Sequence, residues 1–322
     1  REYELWVQYY WKDDVFINAK SAYANIETDC ADATYAMRII FAYERGLPFA
    51  TTANPSQSKS RTKTEQFGIE TESQQSVRLI TNETRRFDHI SDQQERFRAF
   101  LQWIFDFVST KSLAQDTYPI AISRQSIRPG VIYVAPGKHS YQVIDLLDTG
   151  VPLIMSSTEP KAARYLSVLR TFPQFVPGEE SHDAYVDGFR RFKTPEQMQI
   201  EEENLPEYSL DQFQLSQRVN YDWTKFSDLA MKKMALRNET LTERSARLMN
   251  NICLTSYLRA YTIFLSEWKK SYRQQADREF CFRGSDYDQY STPSRDARML
   301  GLFQEVQKLM NNEAWSAENT EI

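Results

Sequence analysis

The chain reads as an α+β protein. Two segments, 28–46 and 91–109, carry apolar residues at helical spacing; four short runs between 118 and 157 are rich in β-branched and aromatic residues; and residues from about 216 to 275 are helix formers with few breakers.

Composition bounds the rest. At 322 residues, 41% hydrophobic and 26% charged, the chain is long enough for one large core or two modest ones. Only 9 glycines occur, which disfavours Gly-rich phosphate loops and collagen-like repeats. The formal charge of −5 is mild and calls for neither a nucleic acid nor an anionic membrane as partner. No run of about 18 apolar residues appears, so no membrane span is expected. The numbering begins at Arg1 without Met, which suggests a processed product and a periplasmic or secreted location. Of three cysteines, Cys253 and Cys281 pairing would leave Cys30 free, while reduced, buried cysteines fit those two positions equally well.

In chain order, residues 2–25 are rich in Trp and Tyr without clean periodicity and read as a packed lead-in. From Thr28 the signals sharpen. Thr28 or Asp29 can cap a helix whose apolar face is Ala33, Met37, Ile40 and Phe41, and Gly46 with Pro48 ends it. Residues 51–86 are polar and read as a long loop. The segment 91–109 predicts a second helix, with Ser91 and Gln94 as a capping box and Phe97, Phe100, Leu101, Ile104, Phe105 and Val108 on one face. Strands are expected at 118–122, 130–135, 140–147 and 151–157, the last two joined through Asp148-Thr149-Gly150. The acidic, Pro-bearing stretch 194–206 is the candidate boundary between a first unit, 1–205, and a helical C-terminal layer, 206–322.

Cys30 lies in Glu27-Thr28-Asp29-Cys30-Ala31-Asp32, in the first turn of the expected helix. Unpaired backbone N–H groups there favour a thiolate over a thiol, which points to a reactive sulfur; a buried small hydrophobe is the alternative. A thiol nucleophile needs an imidazole, and only His89, His139 and His182 are available. His139 opens a strand after Pro136-Gly137-Lys138, whereas His89 and His182 read as surface residues. Zinc-ligand spacing, a Walker loop, a dinucleotide fingerprint and a Gly-x-Ser-x-Gly elbow are all missing, so neither a metal nor a cofactor is expected.

The order Asp29-Cys30-Ala31-Asp32, then Arg128-Pro129-Gly130-Val131-Ile132-Tyr133, then a His-led strand, resembles NlpC-type peptidoglycan cysteine peptidases and the related transglutaminase-like hydrolases. The resemblance covers about residues 25–160. It implies a papain-like catalytic core, a Cys-bearing helix on a small antiparallel sheet with a helical extension, in which Cys30 is the nucleophile and His139 the base. The interval between the two is longer than such compact domains have, which makes the polar excursion and the second helix insertions. Relatives place an Asp, Asn, Gln or His on the following strand to orient the imidazole. Here Ser156, Ser157 and Thr158 are brought near instead. Ser157 is taken as the third residue, with Gln142 and Asp145 as other candidates.

Asp29, beside the nucleophile, and Arg190 with Arg191, in the loop Gly188-Phe189-Arg190-Arg191-Phe192, are expected to touch substrate: two guanidinium groups among aromatic rings suit a carboxylate, and peptide stems of peptidoglycan carry such groups, while a surface loop pairing with the acidic segment Glu201 to Glu203 is the alternative. Peptidoglycan or another peptide is the partner that the resemblance implies. An amine acceptor in place of water would make the protein a transpeptidase or transglutaminase-type acyltransferase. A non-enzymatic binding or scaffold protein on the same frame is the rival from another class.

Overall fold

A six-stranded antiparallel sheet separates two layers of helices. The computed structural model describes residues 1–53, 78–179, 184–274 and 293–311. Its helices are α1 (Glu2–Tyr9), α2 (Cys30–Glu44), α3 (Gln93–Ile104), α4 (Thr110–Asp116), α5 (Asp211–Arg218), α6 (Trp223–Met234), α7 (Leu241–Gln274) and α8 (Pro293–Met310). The large sheet is built from β3 (Thr117–Pro119), β4 (Ile132–Ala135), β5 (His139–Leu146), β6 (Pro152–Ser156), β7 (Ser167–Arg170) and β8 (Gly188–Phe192), in the order β3-β8-β4-β5-β6-β7. The α+β class expected from the sequence is what the chain adopts.

Each face of the sheet has its own core, because successive side chains of a strand point to opposite sides. Ile132, Val134, Met155 and Phe192 face the first layer, where α2 and α3 contribute Tyr35, Met37, Ile40, Phe97 and Leu101. Tyr133, Tyr141, Val143, Ile154 and Phe189 face the second layer, where α5 and α6 contribute Leu215, Phe226, Ala230 and Met234. The aromatic lead-in joins the first layer: Trp6, Trp11 and Phe16 are buried in it, and Trp11 Nε1 donates to Gln142 Oε1 at 2.7 Å.

Several elements depart from the sequence reading. The polar stretch 51–86 carries paired strands at its ends, β1 (Ala50–Ala53) and β2 (Arg78–Thr81), and residues 54–77 lie outside the described residues. The second helix starts later than expected: Asp92, not Ser91, caps it by accepting from Glu95 N at 2.7 Å, and the chain bends at Phe105 before Ser109 caps α4. Gly188 to Phe192, read as a loop, is β8, threaded between β3 and β4. Strand order of this kind depends on long-range pairing that local pattern does not encode.

The second core also runs across residue 205. Leu205, Leu215 and Phe226 share it with Tyr133 and Phe189, and Gln212 of α5 bonds the backbone of β8, accepting from Phe189 N at 2.8 Å and donating to Phe189 O at 3.0 Å. So α5 and α6 are a layer of the sheet unit. Leu248, Ile252, Leu302 and Leu309 of α7 and α8 form a small cluster of their own. Asn251 ties that pair to the sheet edge, accepting from Arg170 N at 3.3 Å and donating to Arg170 O at 3.0 Å. At Arg170 the edge of β7 is closed to further pairing.

Candidate functional site

Asp29 starts α2. Its backbone is extended, and its carboxylate accepts from Asp32 N at 2.9 Å while the Asp32 carboxylate accepts from Asp29 N at 3.2 Å. This reciprocal cap uses a carboxylate on both sides where a hydroxyl and a Glu are common. Lys161, after β6, comes within 3.0 Å of Asp32 Oδ2 and sits over the Phe105 ring. Asp29 is buried, so the position expected to touch substrate is the cap of the helix.

Cys30 is the first residue of α2 and is 7% exposed. The structure reverses the expectation of an activated thiolate. Burial pushes the thiol up to about 12, and the Asp29 carboxylate adds to this, as do Glu159 and Asp32. The backbone N–H of Ser140 acts the other way. Helix-terminal N–H groups do favour a thiolate, but removal from water and three carboxylates outweigh them here. The sulfur rests as a neutral thiol.

A set of hydroxyls fastens the first turn of α2 to the sheet. Ser140 Oγ and Thr34 Oγ1 both donate to the Cys30 carbonyl at 2.9 Å. Ser157 Oγ donates to Thr28 O at 2.9 Å, and Thr28 Oγ1 donates to Ser157 Oγ at 3.2 Å. Ser157 therefore anchors the residues leading into α2. That corrects its expected role as the group orienting His139, because the oxygen that would accept from the imidazole already accepts from Thr28 Oγ1. Extending the β5–β6 register from Gln142 opposite Met155 sets Ser140, not His139, across from Ser157. The other candidates are also engaged elsewhere: Gln142 holds Trp11, and Asp145 accepts from Gln8 Nε2 at 3.2 Å.

His139 opens β5 opposite Ala135, and it is 8% exposed. Its ring meets that of Tyr141 edge to face, with centroids 4.5 Å apart. The two-residue period groups His139 with Tyr141 and Val143, toward the second core, and Ser140 with Gln142, toward α2. The thiol thus reaches β5 at the backbone of Ser140, while the imidazole leaves the same strand end on the Tyr141 side. The structure brings the two residues to neighbouring backbone and points the ring along the other face. His89 is exposed, as expected, and His182 lies outside the described residues.

Arg190 and Arg191 are taken up by the protein itself, and Arg190 lies 3.5 Å from Glu202 of the acidic segment, the kind of partner expected of the pair if it does not touch substrate. Arg190 is 1% exposed, and its guanidinium donates to Thr117 Oγ1 at 2.8 Å, Tyr185 O at 2.6 Å, Ala114 O at 3.0 Å and Thr117 O at 2.8 Å. Arg191 pairs with Glu207 at 2.6 Å. Both arginines hold the sheet to its surroundings, a role that follows from β8 being an interior strand and not a loop. Cys253 is a free, exposed cysteine of α7, and Cys281 lies outside the described residues.

Sequence reasoning named Thr28 only as a possible cap and passed over Ser140, Thr34 and Glu159, which also lie around Cys30. Only Ser140 had a signal, as the neighbour of His139. Among the described residues no group of three His, Cys, Asp or Glu side chains could hold a metal ion, and no helix is long and apolar enough to cross a membrane. No family model, curated protein or solved structure matches the chain.

Proposed function

We propose that the protein is an exported cysteine hydrolase that cleaves amide bonds, with peptides of the peptidoglycan stem as its substrate class, on a papain-like arrangement. One observation carries the reading: Cys30, in the first turn of a capped helix, has its sulfur against the backbone N–H of Ser140, the residue next to His139. Cys30 and Ser140, distant in sequence, meet at one strand end. In this reading the Cys30 sulfur bonds to the substrate carbonyl carbon as the thiol proton passes to His139. The C–N bond then breaks, the proton leaves with the amine, and a thioester remains. Water, giving up a proton to His139, releases the carboxylic acid and restores the thiol; an amine in its place gives acyl transfer. Because the resting thiol is neutral, the base must act during attack, and the His139 ring must turn from Tyr141 around the end of β5 to do so.

The test is hydrolysis of purified peptidoglycan and of casein by the wild-type chain, Cys30→Ala and His139→Ala. Release from either substrate that both substitutions abolish supports the reading; no Cys30-dependent release from either overturns it. A second reading, a binding or scaffold protein on the same frame, is favoured by the burial of the thiol. It predicts stoichiometric binding of stem peptides with no product, unchanged in Cys30→Ala.

A further inference from the structure

From Leu254 onward, α7 exposes large apolar side chains and buries hydroxyls. The positions buried there include Thr262 and Ser266, whose hydroxyls turn back to the helix's own carbonyls at Leu258 (2.9 Å) and Ile263 (2.7 Å). Among the described residues, polar contacts join this part of the helix to α8: Arg259 pairs with Asp296, and Ser256 Oγ meets Met299 Sδ at 3.4 Å. Five large apolar side chains point outward, while Leu258, Ile263 and Leu265 are half-buried. Tyr257, Phe264 and Trp268 are 68%, 66% and 62% exposed, with Leu254 and Tyr261 on the same stripe. Their spacing, 254, 257, 261, 264, 268, alternates three and four residues, the period of a helix seam made for another helix of the same period.

We infer that α7 is a self-association surface whose occupant is the α7 of a second copy of the chain. The area is sufficient. With aromatic side chains contributing about 150–250 Å² each, the exposed parts of this stripe amount to roughly 500 Å² per copy, or about 1,000 Å² in a two-fold pair, the lower bound for a specific interface. The stripe has no charge at its own five positions, so pairing two copies buries no unpaired ion. Period, area and the lack of charge all suit an identical helix. Heptad pairing of identical stripes is self-complementary, as a two-fold dimer requires.

The experiment is sedimentation equilibrium of the full chain in reducing buffer, from about 1 to 100 µM, a range that brackets the affinity of an interface this small. The expected result is a dimer forming within that range, and an association weakened about tenfold or more in a Tyr257→Glu, Phe264→Glu variant. Because a double charge could disturb the helix, a photo-crosslinking residue at position 264 gives an independent reading, a covalent species of twice the 37.8 kDa chain mass. A wild-type chain that stays monomeric at all concentrations overturns the inference. So does a monomer that sediments with vesicles of phosphatidylcholine and phosphatidylglycerol, which would assign the stripe to a lipid surface.

Discussion

Ser140 holds Cys30 at two points: its hydroxyl donates to the Cys30 carbonyl at 2.9 Å, and its backbone N–H is directed at the thiol. One residue of β5 therefore sets both the position of the first turn of α2 and part of the polarity around the sulfur.

Replacing Ser140 by Ala removes the hydroxyl contact and leaves the backbone one. The expected loss is about 1 kcal/mol of unfolding free energy, since Thr34 still serves the same carbonyl. Urea denaturation measures it. The pH dependence of Cys30 alkylation should be unchanged; a shift of that profile would mean that the side chain, not the N–H, tunes the thiol.

The thiol sets a second expectation. With its ionisation near 12, alkylation of Cys30 by iodoacetamide should be slow at pH 8 and rise about tenfold per pH unit well beyond pH 9. Asp29→Asn and Glu159→Gln should each speed it at fixed pH by removing a negative charge. The linkage sign follows from the same shift: the folded state keeps a proton that the unfolded thiol, at 9.0, gives up, so this stability is complete below pH 9 and is lost as pH rises toward 12. A plateau in alkylation rate below pH 9 would contradict the assignment of a neutral resting thiol.

Asp116 is the buried carboxylate on which α2, β1 and α4 converge. It accepts from Tyr35 OH at 2.6 Å, from Thr52 N at 2.8 Å and from Thr51 Oγ1. Asp116→Ala strands these donors in the interior and should remove about 3 kcal/mol of stability, visible as a lower denaturation midpoint. A loss below about 1 kcal/mol would show that the donors find other partners.

Gly150 closes the β5–β6 hairpin with φ +79, and a Cβ there would lie 2.2 Å from the carbonyl oxygen of Met231 in α6. Gly150→Ala combines a strained backbone with a clash against helix backbone. It should cost about 2–4 kcal/mol and lower the thermal midpoint by several degrees.

Where local chemistry decides structure, the sequence was legible. Asp29 before Cys30, Gly46 after Glu44 and the Asp148-Thr149-Gly150 turn are signals that act within a few residues, and α2 and the β5–β6 hairpin formed where they pointed. Gly188 to Phe192 was misread because adjacent arginines look solvent-exposed until the carbonyls of Ala114, Tyr185 and Thr117 are placed around Arg190. At the candidate site, the helix start and the strand start could be named from pattern. The surroundings of Cys30 could not, because Glu159 and Ser140 reach it only through tertiary packing and burial has no local signature. The side on which His139 leaves β5 turns on register, where a shift of one residue exchanges the faces.

The most direct test of the account is mass spectrometry of the protein quenched in acid seconds after mixing with a peptidoglycan stem peptide. The account predicts an acyl adduct on the peptide containing Cys30, formed with release of the amine fragment and missing from Cys30→Ala. Amide cleavage at an unchanged rate in Cys30→Ala, with no adduct on Cys30 in the wild type, would contradict it.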